Sequence, residues 1–213
     1  MEGPKLEDFP PDEAAAFRPT HIFYLHETGS LKPTVAHDVT GATGIAVDFT
    51  TNKLTDGAQK AAQAAAAATS AKPYLELRRQ AWYKRAYDAK DESDALVAEI
   101  AGPLLAFSHW ILSFPSDSPH SSHAIEMRPT GMGSQVDVFA KDSVAHFWDV
   151  LDGRRLCHLW KVVGGKRIEV ARYLSKGMHE SDGILMVDGG GVDEVVAIMT
   201  CVAVLYRNES FRM

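Results

Sequence analysis

Short runs of alternating apolar and polar residues recur along most of this chain, with turn residues between them. That is the pattern of half-buried strands rather than of helices. The alternation predicts strands at 21–27, 35–38, 45–50, 74–79, 82–87, 95–101, 109–114, 123–128, 135–140, 144–151, 155–162, 168–174 and 184–188. Asp152-Gly153, Gly164-Gly165 and Asp182-Gly183 fall between runs, where glycine can take the positive φ a tight turn needs. So many short strands in one chain read as a sandwich or barrel, with one or two of them irregular.

The pattern changes at the C-terminal end. Asp193-Glu194 opens the run Val195-Val196-Ala197-Ile198-Met199-Thr200-Cys201-Val202-Ala203-Val204-Leu205-Tyr206, which closes with Arg207-Asn208. The acidic pair suits a helix N-terminus, with Asp193 as cap, and Arg207 suits the last turn. Thr200 is the one non-apolar residue between those ends, so the helix has no polar face and must be surrounded on all sides. Twelve residues at ~1.5 Å each span only ~18 Å, short of a ~30 Å hydrocarbon layer. Protein is therefore the expected surround, and the implied architecture is a mainly β barrel closed around one apolar C-terminal helix.

Two stretches interrupt the strands. The segment 57–72 is alanine-rich and lacks any bulky apolar stripe, so it is expected as an exposed, partly helical insertion. Ser116-Asp-Ser-Pro-His-Ser-Ser122 reads as a flexible loop. Residues 1–20, with Glu2, Glu7, Asp8, Asp12 and Glu13 beside Pro4, Pro10 and Pro11, read as an acidic flexible arm without a signal-peptide core. No internal repeat or second core is apparent, so 21–213 is taken as a single domain.

Composition narrows the partners. The 213 residues are 46% hydrophobic and 23% charged, an ordinary globular mix, with a net charge of −6. That charge argues against nucleic acid, which needs a basic surface, and less strongly against anionic membranes. Cys157 and Cys201 are expected as buried free thiols, and the Asn208-Glu209-Ser210 sequon as chance, which together imply a cytoplasmic protein.

The strand-rich half ending in an apolar helix resembles the tubby C-terminal-like superfamily of tubby proteins, phospholipid scramblases, plant LURP-one-related proteins and small fungal proteins. The resemblance rests on Pro73-Tyr74-Leu75-Glu76-Leu77-Arg78-Arg79, Val97-Ala98-Glu99-Ile100 and Phe147-Trp148-Asp149. It continues through Ile168-Glu169-Val170-Ala171-Arg172-Tyr173 and the helix opening Asp193-Glu194-Val195-Val196. It covers about two thirds of the chain and implies a twelve-stranded barrel threaded by the C-terminal helix. Tubby domains bind phosphoinositides through lysine and arginine clusters. The nearest here are Arg78-Arg79 with Lys84-Arg85, and Arg154-Arg155, in a chain that is acidic overall. The extra cysteines and long apolar segment of scramblase-type members are absent.

Familiar catalytic motifs are missing. Gly41-Ala-Thr-Gly44 and Gly131-Met-Gly133 are too short for a dinucleotide fingerprint, and the carboxylates after Gly189-Gly190-Gly191 oppose phosphate. His120, His123 and His179 lie in loops without zinc-ligand spacing, so neither metal nor cofactor is expected. The aromatic strands offer more. If Asp152-Gly153 is a two-residue turn, Asp149 lies diagonal to His158 on one face with Trp160, and a carboxylate beside imidazole makes an acid/base pair. A three-residue turn would instead bring His146 and Trp148 beside His158 and Trp160. The tryptophans read equally as barrel core.

These residues yield the reading of a soluble protein that binds an apolar small molecule in a barrel pocket, as a cofactor-independent cyclase or isomerase of the Diels–Alderase type. Fungal specialised metabolism supplies the analogy. Its catalytic residues would be His158 and Asp149, and its ligand walls Trp110, Trp148, Trp160, Trp82, Tyr173 and His146. The alternatives are a phosphoinositide or membrane-lipid binding module and a protein-interaction scaffold. No nucleic acid and no stable membrane insertion are expected.

Overall fold

A computed structural model describes residues 3–27, 33–45, 52–68, 72–81, 83–102, 109–131, 133–152, 155–176 and 182–209. Twelve antiparallel strands close into one barrel in which each strand pairs with its neighbours in sequence, and β1 pairs with β12 to shut the ring. The strands are β1 His21–Glu27, β2 Thr34–Asp38, β3 Leu75–Arg79, β4 Ala86–Asp91, β5 Leu96–Ala101 and β6 Trp110–Ser113. The second half comprises β7 Ile125–Pro129, β8 Val136–Lys141, β9 Val144–Leu151, β10 Leu156–Val163, β11 Lys166–Ser175 and β12 Gly183–Val187. The described residues also include a 3-10 turn at Leu6–Asp8 and the α-helices α1 Asp56–Ala68 and α2 Glu194–Glu209.

The apolar C-terminal run is α2, and the barrel encloses it. Val196, Ala197, Ile198, Met199, Thr200, Val202 and Ala203 are all 0% exposed. Leu205, expected to be as inaccessible, is only partly buried in the last turns of the helix. Asp193 caps α2 as anticipated, its Oδ1 accepting from the Val196 amide at 3.0 Å. Thr200 has a specific role: its Oγ1 accepts from the Trp148 indole N–H at 2.9 Å and donates to the Val196 carbonyl at 2.7 Å. Arg207 turns to the wall, where it meets Asp137 of β8 at 2.7 Å with both side chains buried. No helix among the described residues is long and apolar enough to cross a membrane.

Several expected boundaries move. The strand expected at 82–87 forms instead at Ala86–Asp91, because a turn closed by Lys84 N–H on Ala81 C=O precedes it. The strand expected at 45–50 lies almost wholly outside the described residues, as do Trp82 and His179. Gly164-Gly165 is a two-residue turn, with both φ values positive. Leu151 pairs with Leu156, so four residues rather than two separate the strands there, and Gly153 lies outside the described residues. Asp182-Gly183 is no turn, because Gly183 already pairs with Leu25 and Ser175.

The alanine-rich segment is held down despite its small side chains. Ala58, Ala62 and Ala66 recur every four residues and are at most 8% exposed. They pack on Tyr24, Ile184 and Met186 of the outer wall, whose bulk replaces the missing bulk of the helix. The acidic N-terminal segment also lies against the barrel. Leu6 is 4% exposed, Phe9 packs on Phe147 at 5.8 Å between ring centroids, and Pro10 to Asp12 runs beside the start of β11.

Candidate functional site

Register decides which expected site residues meet. His158 pairs directly with Asp149, Leu159 with Trp148 and Trp160 with Phe147. Trp148 and Leu159 point into the barrel with the core, so Asp149, His158 and Trp160 point out. Trp148 and Trp160 therefore lie on opposite faces of the wall and border no common cavity, contrary to expectation. Four residues separate Leu151 from Leu156, which keeps the faces that a two-residue turn predicts, with Asp149, His158 and Trp160 together, and excludes the three-residue register that would have set Trp148 beside Trp160. Trp110 and Tyr173 are interior, each 1% exposed. Trp110 packs between the Arg85 guanidinium, 4.7 Å from its ring, and Tyr206 of α2.

On the outer face, the carboxylate on His158 is Glu169 and not Asp149. His158 Nδ1–H donates to Glu169 Oε1 at 2.7 Å, and Arg172 grips both Glu169 oxygens at 2.6 Å. The remaining Arg172 nitrogen donates to Asn52 Oδ1 at 2.7 Å. Glu169 and Arg172 are three apart in one strand, a spacing that ordinarily places residues on opposite faces. A bulge between Leu159 and Trp160, opposite Ala171 and Glu169, restores them to one face. The arginine and histidine hold the Glu169 carboxyl below its ordinary range against the opposing effect of burial. Burial raises the Asp149 carboxyl, with His158 and Arg167 opposing. Trp160 stacks on His158 at 5.6 Å. Every polar atom of the Glu169 carboxylate is engaged, so this cluster fastens the wall.

An open site lies at the barrel mouth where α2 begins. A cleft of about 300 Å³ is lined by Lys141, Asp142, Val144, His146, Lys161 and residues 189–194. Its parts come from the β8–β9 turn, β9, β10, the start of α2 and the Asp188–Val192 turn, whose own hydrogen bonds (Gly191 N–H and Val192 N–H to Asp188 C=O) fix its shape. A Cβ on Gly191 would sit 2.6 Å from Val170, so glycine is required for this turn to lie on the wall. Lys161, directly across from His146, donates to the Gly191 carbonyl at 2.8 Å. Lys141 meets Asp142 at 2.6 Å. Asp193 and Glu194 are paired in turn with His120 at 3.0 Å and His21 at 3.3 Å, so His120 is not the solvated loop residue it first appears.

His146 is the chemically distinctive group of the cleft. It is 3% exposed and stacks on Phe139 at 5.0 Å. Its Nδ1 lies 3.0 Å from the Val144 carbonyl. A carbonyl only accepts, so Nδ1 carries the proton and Nε2 holds a lone pair. Burial lowers this imidazole to about 4, so at neutral pH it is uncharged. Of the expected ligand residues that the structure describes, His146 lines this cleft, while Trp110, Trp148, Trp160 and Tyr173 do not. The remaining lining residues come from separate segments that spacing alone does not bring together. Among the described residues, no group of three or more histidine, cysteine or carboxylate side chains could hold a metal.

No family model matches this chain, nor does any curated protein. Among solved structures it is similar to a protein of Arabidopsis thaliana determined by X-ray diffraction, at a TM-score of 0.52 and 11% identity. The match covers 89% of this chain and 93% of that one. At this identity the likeness shows a shared fold.

Proposed function

We propose that this protein is a small-molecule receptor whose ligand sits in the mouth cleft rather than between tryptophans inside the barrel. The observation that carries this reading is the conjunction of a cleft of about 300 Å³ with a buried, uncharged His146 in its lining. That volume is at the small end of ligand pockets. Its lining of two lysines, one imidazole and three carboxylates selects a polar molecule over a polycyclic hydrocarbon. A ligand hydroxyl would donate to His146 Nε2, and a carboxylate would draw Lys161 or Lys141 from its present partner. Binding is favoured over acid/base catalysis because an imidazole near 4 is far from the neutral range in which a proton-transfer group works best.

The other readings have less support. Around the basic cluster, Arg78 is bound to Glu76 at 2.7 Å, and Arg79 donates to the Lys84 carbonyl. The exposed apolar residues are dispersed, Leu96, Ile111, Leu151 and Val163 over four strands and Tyr83 in the turn before β4. The test is a thermal-shift screen of hydroxy acids and polyols against the full chain. A ligand that stabilises the wild type should do so less in His146→Phe and Lys161→Met, and equally in Trp160→Ala on the outer wall. A set of hits confined to apolar polycycles, or a shift indifferent to His146 and Lys161, would overturn the reading.

A further inference from the structure

One stretch of strand edge lies beyond the ring of barrel pairings. Val163 and Lys166 flank the two-residue Gly164-Gly165 turn and form the bonded pair that closes the β10–β11 hairpin. Bonded and non-bonded pairs alternate in an antiparallel ladder, so Arg167 turns its N–H and C=O away from β10. Strand β12 pairs with β11 only from Ala171 onward, and the Asp188 N–H reaches one residue further, to Val170. The edge at Arg167 is thus unused by the barrel, and an unused edge is a template for another strand.

The chain's own N-terminal segment occupies it. Arg167 N–H donates to the Pro10 carbonyl at 3.0 Å, and Asp12 N–H donates to the Arg167 carbonyl at 3.0 Å, in parallel register with Pro11 opposite Arg167. Pro11 needs no N–H at that position, so proline costs nothing there. Lys166 Nζ lies 3.4 Å from Asp12 Oδ1, and Arg167 Nη1 donates to the Leu6 carbonyl at 3.1 Å. The occupant carries Glu7, Asp8, Asp12 and Glu13, opposite in sign to the Lys166-Arg167 edge. The fit is incomplete: Arg167 Nε is buried with no acceptor among the described residues.

We propose that this edge is a docking site for an extended, acidic, proline-containing peptide of a partner protein, and that residues 5–12 occupy it in cis until displaced. Main-chain pairing supplies the addition of a strand, the lysine and arginine select acidic side chains, and the proline pair fits the position that donates nothing. Two main-chain bonds hold the cis segment, and a partner with a carboxylate within reach of Arg167 Nε would satisfy a donor that the cis segment leaves unpaired. The site is on the outer wall and does not depend on the mouth cleft.

The test uses the full chain and a Leu6→Ser/Phe9→Ser variant that loosens the cis segment. Fluorescein-labelled peptides are titrated by anisotropy: the chain's own residues 5–14, and a peptide of alanines keeping only the two prolines and the acidic positions. Both should bind the variant at least ten-fold more tightly than the wild type. Arg167→Glu in the variant, or lysine in place of the peptide's acidic residues, should abolish binding. Failure of a folded variant to bind, binding of the own-sequence peptide alone, or indifference to charge reversal would overturn the proposal. Hydrogen exchange on the unaltered chain gives a second reading that does not depend on the variant's folding. The Asp12 and Arg167 amides should exchange at least ten-fold faster than those of Ala171 and Tyr173, and equal protection would refute a displaceable segment.

Discussion

Thr200→Val tests whether the one hydroxyl in the apolar helix is there for Trp148. The substitution is nearly isosteric, so it removes Oγ1 and leaves the volume in place. The Trp148 indole N–H, 2.9 Å from that oxygen, then has no acceptor, in a residue that is 0% exposed. Leaving a buried donor unpaired costs about 1–3 kcal/mol. The hydroxyl's other bond, to the Val196 carbonyl, is a weaker loss because a helix carbonyl also accepts along the helix. The new methyl regains a little apolar burial, so the net cost should be about 2 kcal/mol. At roughly 2–4 °C per kcal/mol for a chain of this size, the melting temperature should fall by about 4–8 °C. Urea unfolding followed by far-ultraviolet circular dichroism measures the free energy independently of the tryptophan signal. Thr200→Ser keeps the oxygen and should lose less, about 1 kcal/mol for the missing methyl. Trp148→Phe removes the donor, so in the Trp148→Phe background Thr200→Val should cost about 1–2 kcal/mol less than in the wild type. A Thr200→Val variant within about 0.5 kcal/mol of wild type, or a strictly additive cycle, would refute the assignment.

Arg207→Met should cost about 3–5 kcal/mol in urea unfolding, because it strands the buried Asp137 carboxylate, and adding Asp137→Leu should recover most of that loss. Glu169→Leu should destabilise by about 3 kcal/mol by uncovering the buried Arg172, whereas Asp149→Asn should stay within about 0.5 kcal/mol; the reverse order would return Asp149 to the role of His158's partner. For His146, the folded pKa near 4 lies below the ordinary 6.5, so the unfolded chain takes up the proton first and stability is lost as pH falls between those values. The stability advantage of wild type over His146→Gln should therefore shrink by about 2–3 kcal/mol between pH 7 and pH 4, read from urea midpoints across that range. A difference independent of pH would show that His146 is not buried and neutral.

What was legible from residue order is what depends on local alternation and on a run with no polar face. Those two features fix a barrel around a helix, because twelve consecutive near-apolar residues have few other places to go. The positions of individual side chains across the wall were less legible, since one residue of register inverts every face. Asp152-Gly153 carries the composition of a two-residue turn, yet the strands meet only at Leu151 and Leu156; the even spacing keeps the predicted faces and moves His158 from diagonal to directly opposite Asp149. Val170 adds an extra residue to β11, and that bulge brings Glu169 and Arg172 together beside His158. No alternation pattern marks it, although Glu169-Val-Ala-Arg172 placed inside an otherwise apolar strand is a sign that the period is broken there. The docking of α1 had a readable signal in Ala58, Ala62 and Ala66, once bulk is allowed to come from the sheet instead of from the helix.

The mouth cleft shows why function was harder to read than fold. His146 was identified for its aromatic neighbours, but its chemistry depends on residues far away in sequence. Phe139 covers one side of its ring, and the Asp188–Val192 turn brings the Gly191 carbonyl to Lys161 across the strand pair. The same burial that lowers the imidazole to about 4 makes it a dependable acceptor and a poor proton carrier. Had His146 stood in solvent, burial would not lower it from the ordinary 6.5, and the acid/base reading would be the stronger. The choice between receptor and catalyst therefore turns on the depth of one ring. Gly191 lines the same cleft as His146 and lies close against Val170, so the seating of the Asp188–Val192 turn bears on how far water reaches the ring. Gly191→Ala would set a Cβ 2.6 Å from Val170, so the turn should shift off the wall and admit water to His146. Its titration midpoint, followed by the ring-proton NMR shift, should then move upward from about 4 toward 6.5. A midpoint unchanged in a folded Gly191→Ala protein would mean that the turn does not control the depth of the ring, and that burial by Phe139 alone keeps His146 uncharged.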